Sequence, residues 1–290
     1  MQYRFRLRSP GTAGRYRAKR LFITALVILL LVPAGVLAIR SLFLSMATAE
    51  EVHREQRETA QEIKKANLGP YGETPAVTYA QGAEGIVVPA PAQVGEWTPE
   101  QVADVQERTK NLLITARLDD RVLAGDTAPY LEQLSESART FSGEKLETEQ
   151  ALGYITRLAP GYTLAEAPRV KGAMTVTVGD LNQLVVSADF VWAYALNGPT
   201  DEEASKGPGG RVVVVHSQEQ YEWYPDKGFL PEDRGLRPGD GSQYVFNMDC
   251  ELAKEGMIAL PKTVTNKGKE SSTDKVYDPQ TPLEQLPHNC

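Results

Sequence analysis

The sequence predicts an α+β protein hung from the membrane: an N-terminal transmembrane helix and helical stalk, then helices packed on a curved antiparallel sheet of about four strands. Three observations predict it. An uncharged apolar run lies near the N-terminus, helix-start signals and helical spacing fill the middle of the chain, and long stretches of two-residue alternation follow.

The apolar run is Leu21 to Ile39, LFITALVILLLVPAGVLAI. It approaches the roughly 20 residues that a helix needs to cross a bilayer core. Before it, residues 1–20 form a basic arm with Arg4, Arg6, Arg8, Arg15, Arg17, Lys19 and Arg20 and no acid, whereas all 38 Asp and Glu lie beyond Arg40. A basic flank stays cytoplasmic. The expected location is therefore the cell membrane, single-pass, with the N-terminus inside, an extracytoplasmic C-terminal domain, and the lipid bilayer as partner of residues 21–39. Nucleic-acid binding is the rival reading of the arginine-rich arm, but the arm is short and sits where topology alone demands it; nucleic acid is not expected as a partner. Ala47-Thr48-Ala49 has the small-x-small form of a signal-peptidase site. The apolar run exceeds the roughly 7–15 residues of a signal-peptide core, and that site lies past Arg40, so an uncleaved anchor is the better reading.

Residues 40–68 read as a solvated helical stalk. Glu51 and Glu55, then Glu58 and Glu62, recur at helical spacing among Arg and Lys, with too few apolar residues for a coiled-coil seam. Residues 69–97 read as a linker without packed structure, because Pro70, Pro75, Pro89 and Pro91 are spread among glycines. Ile86-Val87-Val88-Pro89 could add a short edge strand to it.

A domain over 98–260 follows. Thr98-Pro99-Glu100-Gln101 is a capping box with proline at the first helical position. Val102, Val105, Thr109, Leu112, Leu113 and Ala116 then share one helix face. Asp126 can cap a second helix over 127–139, with Tyr130, Leu131 and Leu134 inside, and a third short helix covers 146–158. The period then changes to two, and strands are expected at 170–178, 184–196, 211–224 and 243–252, the last holding Cys250. In 184–196, Val186, Ala188, Phe190, Trp192, Tyr194 and Leu196 line one face while Ser187 and Asp189 take the other, the pattern of a half-buried antiparallel strand. Residues 261–290 are polar and punctuated by proline, which predicts a flexible C-terminal tail.

Helices first and then about four long strands, over residues 97–260, resembles the nuclear-transport-factor-like, or cystatin-like, cone. A basic arm, one spanning helix and an outer cone is similar in layout to the inner-membrane assembly proteins of type IV secretion and conjugation machines. It is also similar to accessory membrane proteins of actinobacterial envelopes, including those of lipid-import systems. The resemblance implies a binding or scaffolding module within an envelope or secretion-type complex, with envelope proteins as partners. The alternative on the same cone is a small-ligand carrier or a pocket-containing enzyme.

The residues that could carry chemistry are few. His53, His216 and His288 are not at metal-ligand spacing from one another or from a cysteine, and His216 shares strand parity with Val212 and Val214, which marks it as a core or rim residue. No G-x-S-x-G is present, and Gly207-Pro208-Gly209-Gly210 lacks the Lys-Ser/Thr of a phosphate cradle. Asp189 and Asp249 fall inside expected strands, where a buried carboxyl could act as a base. The parity of Asp189, opposite to the aromatic row, instead places it at the surface. No catalytic residue, cofactor or metal is assigned, and no enzymatic activity is expected. The aromatic residues Phe190, Trp192, Tyr194, Tyr221 and Trp223 are most simply core, with a ligand or partner face as the alternative. Cys250 and Cys290 are the two cysteines. An oxidising compartment permits a bridge between them, and two free thiols or pairing with another chain fit equally.

Overall fold

The computed structural model describes residues 69–200, 209–262 and 274–286. The basic arm, the run from Leu21 to Ile39, the stalk, His53, His288 and Cys290 lie outside the described residues. Among those residues no helix is long and apolar enough to cross a membrane. The chain is α+β, with a six-stranded antiparallel sheet and a few helices.

Strand β1 (Ala80–Gln81) precedes helix α1 (Pro99–Leu118), whose capping box forms as the sequence predicts. The Thr98 amide donates to Gln101 Oε1 at 2.9 Å and the Gln101 amide donates to Thr98 Oγ1 at 3.4 Å. Val102, Val105, Leu112, Leu113 and Ala116 are buried along one stripe. Asp119 ends α1 and caps α2 (Asp120–Leu123) by accepting from the amides of Arg121 and Val122. Asp126 accepts from the Ala128 amide at 3.1 Å and opens α3 (Ala128–Leu131).

The helix expected over 127–139 is broken. Leu134 forms a parallel bridge with Leu236, and the Ser135 amide donates to the Leu236 carbonyl at 2.9 Å, so the chain leaves helical geometry to join the sheet edge. Ser135 then caps α4 (Glu136–Leu146). The third helix, expected over 146–158, is replaced by a 3-10 turn at Glu149–Gly153. At its end the carbonyls of Leu152 and Gly153 accept from Arg117 in place of the amides of a continuing helix.

Among the described residues six strands stand where four were expected. The two extra ones are the two-residue β1 and β2 (Thr163–Leu164). β3 (Arg169–Val178), β4 (Leu184–Asn197) and β5 (Val212–Tyr224) fall close to their predicted positions. β6 (Gly235–Phe246) does not: it starts earlier than 243 and ends before Cys250, which opens helix α5 (Cys250–Lys254). Asp249 is the N-cap of α5, not a strand residue, and accepts from the amides of Glu251 and Leu252. The order is β1-β3-β4-β5-β6, with β2 pairing the far end of β4. β6 is an outer strand, which is where Pro238 is tolerated. A bulge sets Gly239 and Asp240 opposite Gln220, between the pairs Glu219↔Gly241 and Tyr221↔Pro238.

Both faces of the sheet are covered. On one, Val186, Phe190, Trp192, Tyr194, Val213 and Val215 pack against α1 in the larger core. On the other, Val191, Ala193, Ala195, Val212 and Val214 are buried beneath Tyr71, Ala76, Tyr79, Val276, Tyr277 and Leu286. The covering residues come from the stretches expected to be a linker (69–97) and a flexible tail (261–290). Both readings are corrected by the same cause: the β4 and β5 residues opposite the aromatic row are apolar at their inner ends and need a lid. Tyr71 also completes the ladder. Its hydroxyl accepts from the Ala195 amide at 2.9 Å and donates to the Ala193 carbonyl at 3.1 Å, where the neighbour of β4 changes from β3 to β2. Tyr79 donates to the Tyr277 carbonyl and so ties the two covering segments together. Ile86 is buried, but no strand forms at 86–89 and Val87 is exposed.

Candidate functional site

The helical stripe of α1 ends on a charge. Arg117 lies one turn beyond Leu113 and is 0% exposed. A buried guanidinium needs a counter-charge and acceptors, and the fold supplies both. Nη1 donates to the Leu152 carbonyl at 3.0 Å and to Thr156 Oγ1 at 3.2 Å, and Nη2 donates to the Gly153 carbonyl at 3.4 Å and to the carboxylate of Glu219. The other oxygen of Glu219 accepts from the Tyr221 hydroxyl. Tyr194 donates to the Arg117 carbonyl at 3.1 Å, which uses its one proton, so the Thr156 hydroxyl, 3.0 Å away, is the donor to Tyr194. One network thus joins α1, the 3-10 turn, β4 and β5.

Burial works against the Arg117 charge, but the Glu219 carboxylate and the neighbouring tyrosines outweigh it, and the guanidinium pKa is raised. Burial and then the same carboxylate push the Tyr221 phenol well above its ordinary value. The Tyr130 phenol is raised for the same two reasons, and its hydroxyl has no hydrogen-bond partner among the described residues. Both Glu219 oxygens are thereby engaged, one by Arg117 and the other by Tyr221.

Above the ion pair the surface opens. A cleft of about 270 Å³ is lined by Gln150, Tyr154, Glu219, Tyr221, Gln243 and the backbone of the β6 bulge. A second, of about 400 Å³, is lined by Ser187, Asp189 and Gln218 and shares Glu219, Gln220, Asp240, Gly241 and Ser242 with the first. Asp189 accepts from Gln218 Nε2 at 3.2 Å and lies 3.2 Å from Nε2 of His216. His216 is fully buried and its Nδ1 has no partner among the described residues. Among the described residues no group of three or more His, Cys, Asp or Glu could hold a metal ion.

The residues singled out from the sequence do not assemble into this site. Phe190, Trp192 and Tyr194 are 0% exposed, so they are core and present no face to a partner. Trp223 is partly buried, with the Arg108 guanidinium 5.0 Å over its ring, and Tyr221 alone reaches the cleft. Cys250 is disulfide-bonded. The chain's other cysteine, Cys290, lies outside the described residues. Asp189 is half-exposed and paired. Arg117, Glu219, Tyr154 and Gln243 escaped notice. A signal existed for Glu219: its odd number puts it with Val213, Val215 and Tyr221 on the helix-facing side of β5. An acid at that parity needs a buried cation opposite it. No family model matches the chain, and neither does any curated protein sequence or solved structure.

Proposed function

We propose that the chain is a single-pass membrane protein, N-terminus cytoplasmic, whose extracytoplasmic domain is a binding or scaffolding module of an envelope or secretion-type complex. The anchor and its orientation rest on the uncharged run from Leu21 to Ile39 and its one-sided basic flank. The observation that carries the binding reading is the filled interior. Phe190, Trp192, Tyr194 and Leu196 pack against α1 with no exposed surface, so any recognition falls to the outside of the domain, where the two polar clefts lie. The cone-like order of helices before strands fits the same reading, and no catalytic role is proposed.

The test has two parts. Protease added to spheroplasts should digest the domain without membrane lysis; protection until lysis would refute the orientation. A photo-cross-linking residue placed at Gln220 in native membranes should then capture envelope proteins. Recovery of none would remove the module reading.

A further inference from the structure

We infer that the paired clefts flanking the β6 bulge bind a neutral, hydroxyl-rich ligand, a saccharide chain. This deepens the binding-module reading and rests on it. The lining residues exclude the other ligand classes one at a time. Among the described residues no Lys or Arg lines either cleft, so an anion finds no counter-charge there; Arg117 is buried and held by Glu219. An organic cation fares little better: in the first cleft Arg117 already balances Glu219 and Asp240 remains, and in the second Asp189 is already engaged by His216 and Gln218. A hydrocarbon chain would meet little apolar surface besides Pro238, Ala188 and the tyrosine rings.

What remains is amide, hydroxyl and carboxylate. Gln150, Gln220, Gln243 and Ser242 offer donors and acceptors together, and Tyr154 adds an aromatic ring. Sugar hydroxyls both donate and accept, and the C–H face of a sugar ring packs on an aromatic one. Gln243 is the most telling of these residues. Its Oε1 is buried without a hydrogen-bond partner among the described residues, although Gln243 lines the cleft. A buried acceptor left unmet costs free energy, so rotation of the Gln243 side chain toward the cleft, where a ligand hydroxyl can donate to it, is favoured. At about 270 Å³, the first cleft lies just below the roughly 300–1,000 Å³ range of pockets for drug-sized ligands, which suits one or two sugar units. The second cleft shares Glu219, Gln220, Asp240, Gly241 and Ser242 with the first and offers the same kind of polar lining.

The experiment titrates the full chain, in a detergent without a sugar headgroup, with N,N′-diacetylchitobiose, cellobiose and maltotriose by calorimetry and saturation-transfer NMR. At least one is expected to bind, with an affinity insensitive to salt. Gln243→Leu removes an acceptor that has no partner among the described residues, so thermal stability should hold while affinity falls about five- to tenfold. Tyr154→Ala should weaken binding by a similar factor. The inference is overturned if no sugar binds, if both variants bind as the parent does, or if spermidine or inorganic phosphate binds and is lost in the same variants. Should the sugars fail while cross-linking at Gln220 still captures envelope proteins, only the ligand class falls. Failure of both would remove the module reading with it.

Discussion

Replacing Arg117 by methionine keeps much of the side-chain stem and deletes the guanidinium. The change leaves the Glu219 carboxylate, 7% exposed, without its counter-charge, and takes the donor from the carbonyls of Leu152 and Gly153. Removing one partner of a buried pair costs about 3–5 kcal/mol. Each stranded acceptor can add roughly 1–3 kcal/mol, though not additively. A loss near 5 kcal/mol is expected, which for a domain of this size lowers Tm by roughly 10–20 °C. Glu219→Gln alone should be comparably damaging, because it strands Arg117 instead. The double variant removes both charges and lets the amide accept from Tyr221, so the expected residual cost is about 2 kcal/mol, carried by the two carbonyls. Urea unfolding followed by tryptophan fluorescence measures all three, since Trp192 is fully buried. A cost below about 1 kcal/mol for Arg117→Met, or a double variant that equals the sum of the singles, would refute the reasoning.

Three further outcomes are expected. Tyr277→Ala should cost about 3–5 kcal/mol, as large-to-small core changes do, because Tyr277 is 3% exposed over the second face of the sheet; chemical unfolding reads it directly. Cys250→Ser and Cys290→Ser should destabilise equally, by about 2–4 kcal/mol, if the bonded partner of Cys250 is Cys290; a covalent dimer on a non-reducing gel would contradict that pairing. Every described tyrosine is raised, Tyr71 and Tyr244 to about 12 by burial. The unfolded phenol titrates near about 10, so above that pH the unfolded chain releases protons that the folded chain keeps, and stability falls as pH rises. For Tyr71 and Tyr244 the contribution is complete below about pH 10 and lost through about pH 12, and the phenols raised further keep theirs to higher pH. Tyrosinate absorbance should therefore rise together with the loss of tryptophan fluorescence; phenols that ionise while the tryptophan signal stays native would contradict it.

The sequence was legible where local and tertiary preferences agree. The capping box at Thr98 and the alternation through Phe190, Trp192 and Tyr194 are local signals that tertiary packing reinforces, and α1, β3, β4 and β5 follow from them. It was opaque where a distant partner decides. Nothing near Leu134 announces that the chain will break to meet Leu236. The composition of Gly235-Leu236-Arg237-Pro238-Gly239 suggests a loop, and it becomes strand because an outer position tolerates proline and glycine. The buried roles of Tyr71 and Tyr277 depend on Val191 and Val214, residues far away in the chain, so proline-rich flanks passed for linker and tail. The site was hidden for a related reason. Arg117 and Glu219 are 102 positions apart, and each looks like an ordinary surface charge until strand and helix are superposed.

The two covering segments bracket the domain in sequence, one before α1 and the other near the C-terminus. A ribosome making the polypeptide releases β4 and β5 long before Val276, Tyr277 and Leu286 emerge. Until then the Val212 and Val214 side of the sheet has half of its cover and stays adhesive. Maturation thus waits for residues 276–286, and a product terminated before them would show a bare valine ridge to any protease or chaperone nearby.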